Sequence, residues 1–293
     1  MTNRLSAWPA QSRRDRKLAQ AQRFVDGIFD QTSNPDQLSR IMSKPAPDMR
    51  YVIFFTPRSS STRLNSAIRS AGGIGDPKEW LNPKVISNRA ARMGAANLEE
   101  YVQATMRSCA TGRIFGVELT WRHLDRAFGD PDRFVSLVEP QVYFWLIRRD
   151  IVAQAVSLTK IMQVGLGHSV SGTSDALSEA DKQFSYDEQA IRRAIDNIHT
   201  QEIETCAFFD SRNIRPDRLS YEQLSRHSDE ELAAMVSARL AVSADRSDNV
   251  ISGHQKIGSR KNDDYAERFQ NDNAAFVDNI CKARASLLAE FPE

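Results

Sequence analysis

The apolar positions of this chain change period along its length, and each change marks an element. Tyr51-Val-Ile-Phe-Phe55 is a run of aromatic and β-branched residues, too short for a helix and bounded by Pro57. It predicts a buried strand, because proline cannot donate to a ladder and so ends it. Leu64, Ala67, Ile68 and Ala71 then fall at helical spacing before Gly72-Gly73, which predicts a helix. Ile114, Phe115, Val117 and Leu119 predict a second strand over 113–119. Val142-Tyr-Phe-Trp-Leu-Ile147 predicts a third, lacking polar alternation as in a parallel sheet covered on both faces. A short fourth is expected near Arg218-Leu219-Ser220.

Between the strands the period is helical. Residues 97–109, 121–128, 131–138, 151–163 behind the N-cap Asp150, and 185–212 read as helices. Two more are expected over 221–227 and 228–241, with one or two at the C-terminus. Upstream, Leu18, Ala21, Val25, Ile28 and Phe29 form one stripe of an amphipathic helix over 13–31. Its partner is either the domain itself or a second subunit. Gln37–Met42 predicts a short helix and Lys44–Asp48 a linker. Residues 1–12 are expected to be disordered, 72–83 turn-rich, 165–183 a mobile Gly/Ser-rich loop and 243–262 a polar loop. Strands alternating with helices predict an α/β fold with a mainly parallel sheet over 50–293, behind an N-terminal helical extension over 1–49. In such sheets a ligand sits outside the carboxyl ends of the strands.

Composition changes this picture only by exclusion. With 293 residues, 41% hydrophobic and 26% charged, the chain has the material for one large domain and its extension. A net charge of +1 gives no argument for nucleic acid, so any anion site must be a local cluster. No secretory leader and no membrane-length apolar run is visible, and Cys109, Cys206 and Cys281 are too few and too scattered for a disulfide framework or zinc site. A cytoplasmic compartment with reduced thiols is expected.

The chemistry gathers at the first strand–helix corner. Arg58, Ser59, Ser60, Ser61, Thr62 and Arg63 bring hydroxyls and guanidinium groups, with no carboxylate. A helix start adds free N–H groups and a positive partial charge, and together these make a phosphate cradle. Ordinary capping is the competing reading. A P-loop phosphotransferase would carry GxxxxGK[ST], which occurs nowhere in the chain. Arg148 and Arg149 close the third strand, and Ser157 lies eight residues beyond Arg149, about 10 Å along the following helix. His123, His168, Trp80 and Trp121 read as structural, with acid–base or sugar-stacking roles as the alternative.

Thr-Pro-Arg-Ser-Ser-Ser-Thr-Arg-Leu64 and Arg149-Asp-Ile-Val-Ala-Gln-Ala-Val-Ser157 resemble the donor-binding motifs of PAPS-dependent sulfotransferases, closest to the bacterial trehalose 2-sulfotransferase-like family. The resemblance implies a P-loop-like three-layer sandwich that moves a sulfonate from PAPS to a hydroxyl, leaving PAP, without a metal. It implies a carbohydrate or glycolipid acceptor and a homodimer. By resemblance, Arg58, Ser59, Ser60, Ser61 and Thr62 hold the sulfonate side, and Arg149 and Ser157 the 3′-phosphate. Tyr221 in Leu219-Ser-Tyr-Glu-Gln-Leu224 lies against adenine, and Ser259 and Arg260 belong to a closing loop. Gly75-Asp-Pro-Lys-Glu-Trp80 matches a segment whose first carboxylate is the base, giving Asp76 that role and Glu79 second place. Ser60 stands where the family has glycine, Asp76 where it has Glu, and Glu118 where it usually has Lys. If Ser60 needs a positive φ, the cost is about 1–2 kcal/mol. Glu118 must point away from phosphate, pair with an arginine, or mark a different acceptor. A non-catalytic nucleotide-binding relative, or a P-loop-like phosphotransferase, is the alternative function.

Overall fold

Among the described residues, four segments become strands: β1 (Met49–Phe55), β2 (Ile114–Leu119), β3 (Val142–Ile147) and the mostly polar β4 (Asp217–Ser220). The computed structural model describes residues 10–29, 32–165, 174–242 and 259–293. The strands form one parallel sheet in the order β2-β1-β3-β4. Every position of β2 and β3 is buried, which is why neither alternates. β3 and β4 pair in register from Phe144 opposite Asp217 to Ile147 opposite Ser220. Their carboxyl ends are therefore level, and the residues that follow, Arg148 and Tyr221, emerge side by side.

The helices, in order, are α1 (Ala10–Phe29), α2 (Pro35–Met42), α3 (Ser61–Ala71), α4 (Pro83–Met93), α5 (Leu98–Cys109), α6 (Trp121–Phe128), α7 (Pro131–Val138), α8 (Ile151–Val164), α9 (Ser174–Gln183), α10 (Glu188–Ser211), α11 (Tyr221–Arg226), α12 (Asp229–Leu240), α13 (Arg260–Asp272) and α14 (Ala274–Leu288). Asp150, Asn97, Asp187 and Ser220 each accept a first-turn N–H, capping α8, α5, α10 and α11. Two helices were not expected. α4 starts behind the N-cap Asn82 with Pro83 in its first turn and buries Ile86, Ala90 and Met93. Residues 174–183, expected to be part of a loop, form α9. Composition yields there to packing, since Ala180 and Phe184 are buried and Asp181 pairs with the buried Lys160. The expectations for residues 1–9, 166–173 and 243–258 lie outside the described residues.

The chain divides into two compact units, residues 1–53 with 75–142, and 54–74 with 143–293. In the first, α1 buries Ala21, Val25 and Phe29 within the chain and packs on α6. The Arg126 guanidinium lies 4.6 Å from the Phe24 ring. In the second, Phe54 meets Phe208 and Phe209 at 5.3 and 5.4 Å, and Trp145 sits between Phe209 and Phe291. Each such buried ring contributes about 1.5–3 kcal/mol, enough to fix the sheet from which the corner loops leave.

Candidate active site

The turn from β1 into α3 is held in an unusual backbone. Arg58 and Ser60 both have positive φ, +70° and +72°, so the position with glycine in the resembled pattern does adopt the left-handed conformation. Each costs about 1–2 kcal/mol in an L-residue, and surrounding contacts over-determine the shape. The buried Ser59 hydroxyl donates to the Thr56 carbonyl at 2.8 Å. Gln154 on α8 donates to the Thr56 hydroxyl and the Pro57 carbonyl at 2.9 and 2.7 Å. Arg63 reaches out of the loop, donating to Asp229 at 3.0 Å and to the Leu224 and His227 carbonyls. Ser59 and Arg63 thus shape the loop. Ser60, at the N-cap, makes no side-chain cap bond, so its hydroxyl does not occupy the first-turn donors of α3.

Arg58 turns toward α8, where its Nε donates to the Ser157 hydroxyl at 3.0 Å. Two sequence-distant motifs meet there. Burial first, and then the neighbouring Arg148 guanidinium, hold Arg58 below the usual arginine value. Arg148 lies 4.2 Å from the Tyr221 ring, as the β3–β4 register requires. Its Nε is buried with no hydrogen-bond partner among the described residues. No carboxylate among the described residues pairs with Arg58 or Arg148. Two guanidinium groups facing one another without an acid are costly unless an anion joins them.

Arg149 is placed differently. Side chains alternate at a strand end, so its guanidinium points away from Arg148 and donates to the Leu288 and Phe291 carbonyls at 2.9 and 3.0 Å. Its own N–H is taken by Glu222. Behind this corner, Arg284 is 1% exposed, pairs with Glu202 through two 2.8 Å bonds, and donates to the Arg148 and Arg149 carbonyls. Ser259 donates to Asp181 at 2.7 Å, and Arg260 is exposed beside Asp264. Neither contacts Arg58, Arg148 or Tyr221 among the described residues. Ser61 is buried and Thr62 half-buried at the start of α3.

The first unit holds a second constellation, of opposite sign. Segment 75–82 runs alongside β2, bridging Lys78 to Val117, with the Glu118 N–H donating to the Lys78 carbonyl at 2.9 Å. This pins Asp76 and Glu79 near Glu118. Lys78 pairs with Asp76 Oδ2 at 2.5 Å, while Asp76 Oδ1 is buried without a hydrogen-bond partner among the described residues. Glu79 accepts from Asn82 at 2.6 Å and lies 3.7 Å from His123. Burial holds His123 below its ordinary value, against the pull of Glu79, so it is neutral near pH 7. Glu118 is only 4% exposed. Burial, then Glu79 and Asp76, pushes its carboxyl well above the usual range. The same surroundings push the Tyr51 phenol up. A Cβ at Gly116 would sit 2.4–2.9 Å from the Tyr51 ring and hydroxyl, so only glycine admits that phenol. Among the described residues, no group of three His, Cys, Asp or Glu side chains is arranged to hold a metal ion.

Among the described residues Arg149, the residue the sequence expectation chose, turns to the C-terminal carbonyls, while Arg148, its neighbour, lies beside Arg58 and Tyr221; Gln154, Lys78 and Arg284 were not among the expected residues. Gln154 had a readable signal, since it lies three residues before Ser157 on one helical face. Arg148 shares its strand face with Leu146 and Phe144, a parity that spacing to Ser157 hides.

The model of the Stf0 sulphotransferase family matches residues 50–272. A protein named trehalose 2-sulfotransferase from Mycolicibacterium smegmatis is 23% identical over 267 residues, covering 76% of this chain and 94% of its own length.

Proposed function

The chain belongs to the Stf0 sulphotransferase family, and from that premise we propose that it moves a sulfonate from PAPS to a hydroxyl of a carbohydrate or glycolipid. The observation that carries the donor assignment is the meeting of Arg58 with Ser157 and Arg148, with no carboxylate pairing with either arginine among the described residues. That pocket suits a nucleotide phosphorylated at both ends. When bound, PAPS supplies a sulfonate already activated by a phosphate leaving group. The residues proposed to hold it are Arg58, the α3 first turn from Ser60 to Thr62, Ser157, Arg148 and Tyr221, with Ser59 shaping the loop.

Preorganised cations and N–H donors aimed at developing negative charge act without reorganisation at the moment of reaction. Arg58 is fixed for that role by its bond to Ser157. Tyr221, backed by Arg148, offers a ring face for a base. Asp76 is proposed to take the proton from the acceptor hydroxyl, with Glu79 as second choice; Lys78 on its other oxygen keeps Asp76 oriented. Arg149 is proposed to anchor the C-terminal segment that carries Phe291, and Ser259 and Arg260 remain proposed members of a closing loop. Trehalose enters only as an acceptor to try, since it belongs to a relative's name. A homodimer is likewise a proposal.

The test is transfer of labelled sulfonate from PAPS to a panel of sugars and glycolipids, with Arg58→Ala as control. Transfer that falls on the order of 10²–10³-fold in Arg58→Ala supports the reading. PAP binding without transfer to any acceptor would favour a non-catalytic relative, and preference for ATP would favour a phosphotransferase.

A further inference from the structure

Glu118 is the charged-type residue that the proposed reaction leaves unused, and its surroundings are specific. It sits on β2 at 4% exposure, and its Oε1 is buried with no hydrogen-bond partner among the described residues. The charged groups that act on it are Glu79 first and then Asp76, both from segment 75–82, and the Tyr51 phenol of β1 shares the same surroundings. Lys78 and His123 border the cluster, but Lys78 is committed to Asp76, and neutral His123 stands beside Glu79. Among the described residues no cation pairs with Glu118 itself. Asp76 Oδ1 is the other buried oxygen here without a partner.

Two such oxygens beside the bridge that ties Lys78 to Val117 ask for a proton. An ionised carboxylate buried without a cation or donor is far costlier than the neutral acid. Carboxylates sharing a site cannot all ionise. A lysine at this position would supply charge; a neutral glutamic acid supplies a hydrogen-bond donor and no charge.

We propose that Glu118 is held as the neutral acid at working pH and donates its hydrogen bond to Asp76, making it a positioning residue for the base. The role at Asp76 rests on the sulfotransferase reading above; the protonation does not. The proton on Glu118 is not consumed. It fixes the Asp76 carboxylate with one oxygen on Lys78 and the other on Glu118, so the acceptor hydroxyl meets a base of defined orientation.

Protonation is read without turnover, from thermal melting of wild type and Glu118→Gln across pH. Above the ordinary glutamate range the unfolded chain has released a proton that the folded wild type keeps, so wild type loses stability as pH rises toward the folded value. Glutamine has nothing to release. The melting gap in favour of Glu118→Gln therefore widens with rising pH; a gap that stays flat means Glu118 ionises normally and overturns the proposal. Positioning is read from pH–rate profiles. Glu118→Ala is expected to lose on the order of tenfold or more in kcat, within the range for acid–base elements, with the acid limb moved to higher pH and KM for PAPS unchanged. Glu118→Gln, which retains a donor, recovers most of that loss. Equal rates in Glu118→Ala and wild type would overturn the positioning role. Absence of any sulfonate transfer by wild type would remove the sulfotransferase reading instead, and the melting comparison would still decide the charge of Glu118.

Discussion

The corner around Arg58 and the pocket around Asp76 solve opposite electrostatic problems. At Arg58, two guanidinium groups stand together without an acid among the described residues, buried enough to disturb each other. At Asp76, three carboxyls stand near one another and Lys78 pairs with Asp76. On the proposed reading an anion completes the first, so its ligand would stabilise it. The second completes itself with a proton. The difference shows how to read buried charge. A like-charge cluster of arginines cannot neutralise itself, because the guanidinium does not lose its proton in proteins. A carboxylate cluster can, and its missing partner is first sought among protons.

Several changes would break or sharpen this contrast. The largest expected effect is on the acid side. Asp76→Asn should reduce kcat by about 10²–10⁴-fold while PAP affinity, measured by calorimetry, stays at the wild-type value. Unchanged turnover would remove Asp76 and move attention to Glu79. Next comes the support behind the cationic corner. Arg284→Met leaves Glu202 buried and unpaired and strips a donor from the Arg148 and Arg149 carbonyls. Denaturant unfolding should show a loss of about 3–5 kcal/mol, with weakened PAP binding in the protein that remains folded. The family match ends at residue 272, so this support comes from beyond it, on α14. The smallest effect is in the backbone. Ser60→Gly relieves the +72° φ and should change stability by only about 1 kcal/mol, since gained ease is offset by a freer unfolded chain. A fall in PAP affinity in that variant would assign a role to the serine hydroxyl.

The strands and most helices were legible because their signals are local. Apolar runs without alternation gave β1, β2 and β3, and N-cap residues gave the start of α8. The turn at Ser60 was readable only through the family's glycine. What the sequence hid was side-chain direction. Arg148 and Arg149 are neighbours in sequence, yet one turns to Tyr221 and the other to the C-terminal carbonyls. Alternation at the strand end turns them apart, and the pairing of Ile147 with Ser220 brings Arg148 beside Tyr221. Helix α9 was hidden for another reason. The glycines at 165, 167 and 172 argue for a loop and were read through into Ser174–Gln183, which holds none, and the bond from Lys160 to Asp181, 21 residues away in sequence, helps seat the helix. Glu118 was noticed as a departure, but its charge state depends on burial and on Asp76 and Glu79, none of which spacing reveals.

The most direct test of the account is calorimetry with PAP on wild type, Arg148→Ala and Arg149→Ala. The account predicts tight binding to wild type, a loss on the order of tenfold or more in Arg148→Ala from a removed charge-assisted contact, and a smaller loss in Arg149→Ala. Binding that survives in Arg148→Ala but vanishes in Arg149→Ala would contradict the two-guanidinium pocket.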